Sequence, residues 1–150
     1  FFSGTMFGET LSIAAAIATI DKIERENVIP HLWEAGEFLV TELTKLLKKY
    51  GHLYPIGIYG RYPQIKLKFS PALGATKEQI RTLFQQEMAQ AGVLIANCHG
   101  ISFAHREPEL KRIMFAYEHT LDVLYESLKA DDIVERIGGN TVVPLVREAS

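Results

Sequence analysis

Ser3-Gly4-Thr5-Met6-Phe7-Gly8-Glu9-Thr10-Leu11-Ser12-Ile13-Ala14-Ala15-Ala16 runs from a polar, glycine-bearing loop straight into an alanine-rich helix. The helix predicted over residues 11–25 is apolar on nearly every face, so it reads as buried, with partners needed on all sides. Phe1-Phe2 ahead of such a helix is an awkward beginning for a soluble domain, and the expectation is part of a longer protein. The loop has a physical use. The first turn of a helix leaves N–H groups unpaired and carries the positive end of the helix dipole, so anions bind there. Gly4 and Gly8 let the backbone approach a ligand, and the Thr5 hydroxyl suits a phosphate oxygen. An ordinary capping loop, with Thr10 or Glu9 near the cap, gives the same pattern.

Outward from that helix, Pro30 is expected as a first helical residue. Leu32, Ala35, Leu39, Leu43, Leu46 and Tyr50 then recur at helical spacing until Gly51 supplies a left-handed stop. Ile65, Leu67 and Phe69 alternate with Gln64, Lys66 and Lys68, the period of a strand with one face on a core. A short strand over residues 56–59 pairs with it through the turn Gly60-Arg61-Tyr62-Pro63. Thr76-Lys77-Glu78-Gln79 starts a capped helix whose stripe is Ile80, Leu83, Phe84 and Met88, and Gly92 ends it. Residues 93–95 and 100–104 read as two short strands. A long helix follows, with Pro108 near its first turn and Leu110, Ile113, Met114, Tyr117, Leu121, Leu124, Tyr125 and Leu128 on one face. The order predicts an α+β layer, helices covering one face of a small, mostly antiparallel sheet. From Ala130 a tail is expected, with a short helix over residues 131–137 broken by Gly138-Gly139. In it Val142-Val143-Pro144-Leu145-Val146 would pair with a sheet edge or another chain.

Composition bounds the function. The chain has 150 residues, 47% hydrophobic and 23% charged, enough for one core. Sixteen basic and 18 acidic residues give a formal charge of −2, without the basic field that draws nucleic acid or an anionic membrane. No apolar run reaches the length of a membrane span, so neither nucleic acid nor membrane is expected as a partner. Cys98 is the only cysteine, which excludes intrachain disulfides and makes a reducing cytoplasm the simplest compartment.

Cys98, His99 and His105 are possible metal ligands, but a closed zinc site wants four at suitable spacing, so no metal is expected. Cys98 and His99 are adjacent on an extended segment and point to opposite faces, which disfavours a Cys–His nucleophile. Arg61 and Arg106 sit beside turns, where a guanidinium can grip a carboxylate in two places or simply be solvated. Tyr59 and Tyr62 are surface aromatics or part of a pocket wall near Arg61.

The run Gly4-Thr5, Gly8, Leu11 and Ala14-Ala15-Ala16 resembles the segment downstream of the cofactor lysine in class III pyridoxal 5′-phosphate (PLP) aminotransferases, in particular the glutamate-1-semialdehyde aminomutase group. Gly100-Ile101-Ser102-Phe103-Ala104-His105, followed by Glu107, Leu110 and a long helix, resembles that group's closing strand and helix. The resemblance implies the aspartate-aminotransferase type of fold (fold type I). Residues 1–29 would end the large cofactor domain, 30–129 would form the C-terminal small domain, and 130–150 the tail. It implies that Gly4 and Thr5 contact the PLP phosphate across a homodimer interface. It also implies that the Schiff-base lysine lies upstream of this chain, leaving it inactive alone. Some relatives that use 2-oxoglutarate hold its carboxylate with an arginine on the closing strand. Ser102 stands there and cannot form a bidentate carboxylate pair, which points to transfer of an amino group on a small amino-aldehyde or oxo substrate. Ser102 and Arg61 are the substrate-side candidates. Gly8-Glu9-Thr10 replaces the glycine, asparagine and proline of many relatives, so enzymes acting on sugars or other amino compounds stay open. The rival reading is a noncatalytic α+β interaction module.

Overall fold

The computed structural model describes Gly4 and residues 8–51, 54–95 and 98–143. In chain order its elements are α1 (Thr10–Arg25), α2 (Val28–Lys49), β1 (Ile56–Arg61), β2 (Gln64–Phe69), α3 (Lys77–Gln90), β3 (Cys98–Gly100), α4 (Glu107–Ala130) and α5 (Ile133–Arg136). The strands form one antiparallel sheet in the order β1-β2-β3, the α+β arrangement expected.

Alternation along the strands decides which face is covered. Ile56, Ile65, Leu67 and His99 are buried, with Ile58 and Phe69 packed beside them, whereas Tyr59, Arg61, Lys66 and Lys68 face away from the helices and are exposed. Against the covered face pack α2 and α3, with α4 packed on both and reaching β3 through Tyr117 and His99. Ile80, Leu83, Phe84 and Met88 of α3 meet Ala116, Tyr117, Leu121 and Leu124 of α4, and Ala35, Leu39 and Leu43 bring in α2. Each fully buried side chain of this size stabilises by about 1.5–3 kcal/mol relative to exposure. α5 adds Ile133, which joins that core together with Ile137.

Local chemistry sets the ends. Thr76 Oγ1 accepts from Gln79 N at 3.2 Å and Gln79 Oε1 accepts from Thr76 N at 2.8 Å, the reciprocal cap anticipated for α3. At its other end Gly92 takes φ +83°, Gly92 N donates to Ala89 O and Val93 N donates to Met88 O. This Schellman closure ties Val93 to the helix, and residues 93–95 form no strand, contrary to expectation. Asn27, at φ +50°, separates α1 from α2, and α2 begins two residues before Pro30. Pro30 therefore lies inside the first turn, where its missing N–H has no intrahelical partner to lose.

Four further expectations are corrected. β1 runs through Arg61, so the hairpin turn is Tyr62-Pro63 alone, with Arg61 opposite Gln64. β3 is Cys98–Gly100 rather than residues 100–104, because Gln64, the first residue of β2, is already opposite Gly100. Ile101 N adds one more bond, to Pro63 O at 3.0 Å, and the chain then turns. In the tail, Val142 pairs with α3 and not with a sheet edge: its N–H donates to Thr82 Oγ1 at 2.9 Å and its carbonyl accepts from Arg81 Nη2 at 2.6 Å. Pro144 to Val146 lie outside the described residues. Lastly, α1 is not buried. Leu11, Ile13, Ile17 and Ile20 are 50–76% exposed, because α1 packs on α2 alone among the described residues.

Candidate functional site

Three segments converge at the hairpin end of the sheet. The register sets Arg61 opposite Gln64 and Gln64 opposite Gly100, so Arg61 and the loop bearing Ser102 lie at the same end. The third segment is the first half of α2. A Cβ added to Gly36 would lie 2.0 Å from Tyr62 O and 2.3 Å from Tyr62 C, so only glycine lets the hairpin backbone seat on this helix. Trp33 meets the Tyr62 ring edge-on with centroids 6.0 Å apart.

The loop after β3 is closed twice over. His105 N donates to Ser102 O at 3.0 Å across the four-residue turn, and Ser102 N donates to His105 Nδ1 at 3.0 Å. Ser102 Oγ lies 3.4 Å from the same nitrogen. A second set of contacts straps the loop to α2. His31 Nε2 lies 3.0 Å from the His105 carbonyl and therefore donates to it, and His31 Nδ1 faces Arg106 Nη1 at 3.4 Å. The Phe103 ring receives the Arg106 guanidinium at 3.9 Å and the edge of His31 at 5.3 Å. Arg106 N donates to Glu109 Oε2 at 3.1 Å, fixing where α4 begins.

Behind the loop, His99 is buried with Tyr117 Oη 3.4 Å from its Nδ1. Burial, and then electrostatic coupling to the neighbouring His105 ring, holds its ring down to about 4, so His99 is neutral around pH 7. His99 and His105 share a cleft of about 320 Å³ with Cys98, Gly100, Glu109 and Arg112. Among the described residues no group of three His, Cys, Asp or Glu is gathered as a metal site.

Arg61 and Ser102 are thus brought together in one region, and both are exposed; Tyr59 is exposed and Tyr62 half-buried. The strapping by His31, Phe103 and Arg106 was not read from the sequence, since it crosses about 75 positions. The Ser102–His105 pair carries a local signal, a serine three residues ahead of a histidine across a turn.

The N-terminal candidates do not join this region in the described structure. Thr5 lies outside the described residues, and Gly4 is exposed. Two of the unpaired N–H groups of α1 are taken by the protein itself: Glu9 caps the helix, accepting from Leu11 N at 2.8 Å and Ser12 N at 2.5 Å. The first turn of α1 is therefore a capped end. All nine lysines are exposed.

No family model matches the chain. A glutamate-1-semialdehyde 2,1-aminomutase of Methanosarcina acetivorans is 26% identical over 131 residues, a match covering 79% of this chain and 30% of that protein. The FumI protein of Sphingopyxis sp. MTA144, solved in its PLP internal aldimine form, superposes with a TM-score of 0.70 at 18% identity, over 87% of this chain and 31% of that one. The chain thus spans about 30% of the length of either protein. No described helix is long and apolar enough to cross a membrane. The likeness inferred from the Gly4-Thr5 and Gly100–His105 segments is found again by sequence and by fold: this chain is similar to a C-terminal portion of a glutamate-1-semialdehyde 2,1-aminomutase and folds as part of a PLP enzyme does.

Proposed function

We propose that this chain is the C-terminal part of a class III PLP-dependent aminotransferase or aminomutase that moves an amino group on a small amino-aldehyde or oxo substrate. The carrying observation is that sequence and fold point separately to proteins of this kind, each over about 30% of its length. In this reading residues 1–29 end the large cofactor domain, 30–129 are the small domain and 130–150 the tail. The exposed apolar face of α1 supports the first boundary, because it needs cover that the described residues after α1 do not provide. That cover would come from the large domain and the second subunit of a cytoplasmic homodimer.

PLP, when bound, supplies an electron sink for the carbanion formed at the substrate carbon. Gly4 and Thr5 would hold its phosphate by backbone N–H and hydroxyl, in the neighbouring subunit's site. The exposed lysines support a Schiff-base lysine elsewhere, since an imine-forming amine is activated by a desolvated pocket or a cationic neighbour. Arg61 and Ser102 would face the substrate from the hairpin end of the sheet, and the chain alone would be inactive.

The test is borohydride reduction of the complete gene product loaded with PLP, followed by mass mapping. A lysine adduct outside these 150 residues, weakened by Thr5→Ala, is the expected result. Absence of any adduct would leave the noncatalytic interaction module as the better account.

A further inference from the structure

β1 is an edge strand: among the described residues it pairs with β2 alone. Antiparallel partners alternate, every second residue giving its N–H and C=O to the neighbour and the others turning theirs away. The phase is fixed by Ser70 N, which donates to Pro55 O at 2.8 Å just beyond the Ile56–Phe69 pair. Gly57 and Tyr59 therefore bond to β2, and the backbone groups of Ile56 and Ile58 point off the sheet. No other hydrogen bond takes them among the described residues.

The same two residues border a groove of about 430 Å³, walled also by Leu47 and Lys48 of α2 and by Tyr54. No Asp or Glu lines it. The three strands likewise contain no acidic residue, yet Arg61, Lys66 and Lys68 all stand on the open face, in a chain of formal charge −2. Sheet edges are ordinarily protected by shortness, proline, lysine or an inward charge. β3, the other edge, is three residues long, whereas β1 has six with neither proline nor lysine among them.

We propose that β1 is a docking edge for a fourth strand, supplied by the same polypeptide from outside these 150 residues, with apolar side chains over the groove and an acidic one opposite Gly57. This rests on the reading that the chain is part of a longer enzyme, and it spans about 30% of the length of either similar protein. Opposite Ile56 and Ile58 the side chains of the added strand turn onto Leu47 and Tyr54. Opposite Gly57 they turn to the open face, where the β2 partner of Gly57 is Lys68. Two strand spacings, about 10 Å, separate that position from the Lys68 backbone. Gly57 sets no side chain between them, so an Asp or Glu and the extended lysine meet across it. Backbone pairing supplies affinity, and the alternation of apolar and acidic side chains supplies selectivity.

The test uses the complete gene product. A carbodiimide joins a lysine amine to a carboxylate without a spacer. Lys68 should link to an Asp or Glu outside residues 1–150, in a band of single-chain mass on a denaturing gel. Amide exchange read residue by residue should show Ile56 and Ile58 slowed on the order of a hundredfold or more relative to unpaired amides. Ile58→Pro deletes an N–H that β2 does not use. Tyr59 and Lys66 amides should therefore stay slow in that variant, while Ile56 becomes fast and the Lys68 link is lost. Lys68→Glu should speed exchange at Ile56 and Ile58, and Lys68→Arg, which keeps the charge, should leave it slow.

Fast exchange at Ile56 and Ile58 in the native complete protein would overturn the proposal. A link found only at double mass would assign the edge to a second copy and overturn it as well, as would slow exchange that Lys68→Glu leaves unchanged. Borohydride reduction reads the enzyme question separately. A linked edge without a PLP adduct fails only the enzyme reading, and an adduct with a fast-exchanging edge fails only the docking of the strand.

Discussion

Replacing Gly36 with alanine tests the seat of the hairpin on α2. The added Cβ would lie 2.0 Å from Tyr62 O, 2.3 Å from Tyr62 C and 3.0 Å from Tyr62 Cα. Comfortable carbon contacts begin at about 3.5 Å, so hairpin and helix must part by more than about 1 Å. The obstacle is backbone, which cannot rotate away as a side chain would, and this sets the cost near the top of the ~1–3 kcal/mol range for overpacking. Alanine recovers about 1 kcal/mol of helix propensity. The net expectation is a loss of about 2 kcal/mol. Thermal and guanidinium unfolding of the complete gene product measure it, with Gly57→Ala as control because its nearest atom is Lys68 Cβ at 4.0 Å. Since Arg61 immediately precedes Tyr62, KM should rise in Gly36→Ala as the hairpin moves. A Gly36→Ala protein as stable as the native one would refute the close seating and its part in placing Arg61.

Other consequences follow from single residues. His99, held down to about 4 in the folded chain against about 6.5 unfolded, leaves stability unaffected above pH 6.5 and removes it as pH falls toward 4, because the unfolded ring takes up the proton first. The loss reaches roughly 3 kcal/mol, and unfolding free energies across that window should lose this slope in His99→Phe. Glu9 is held below the usual carboxylate range by hydrogen bonds from Ser12, side chain and backbone, and from Leu11 N. Its cap should persist above the ordinary carboxylate value and fade as pH falls through the lowered one, seen as faster exchange of the Leu11 and Ser12 amides and reproduced at neutral pH by Glu9→Ala. Leu121 is 0% exposed at the α3–α4 contact, and Leu121→Ala should cost about 2–5 kcal/mol in denaturant unfolding. Arg61→Ala, at an exposed strand end, should change stability by no more than ~0.5 kcal/mol while raising KM more than it lowers kcat.

The legible parts of the fold are those whose causes are local. Thr76 with Gln79 and Gly92 with φ +83° carry their reasons within a few residues, and both ends of α3 were readable. The period-two run of β2 was readable because one face is buried and one wet. Val93 was misread as strand because its β-branched side chain said nothing of the N–H it gives to Met88 O. Residues 101–104 were misread because the length of β3 is set by where β2 begins, a fact about its partner. Within the site, Ser102 and Arg61 were legible as chemistry. Their meeting at one end of the sheet was not, since it depends on the register of three strands. The strap through His31, Phe103 and Arg106 needs α2 laid beside a loop some 75 positions away.

The exposure of α1 within this chain bears on function. A helix draws most of its stability from the apolar face it packs, and α1 has no buried residue while Ile13, Ile17 and Ile20 stand 50–56% exposed. Its local devices, the Glu9 cap and Lys22 and Arg25 in the last turn, favour the helix without covering that surface. Under the proposed enzyme reading the surface is covered by the large domain and a second subunit, and α1 amides should exchange slowly in the complete protein. Under the interaction-module reading nothing else among the described residues covers it, and α1 should exchange fast in a monomer. Slow exchange over residues 11–25 of a strictly monomeric, PLP-free gene product would fit neither account of that helix.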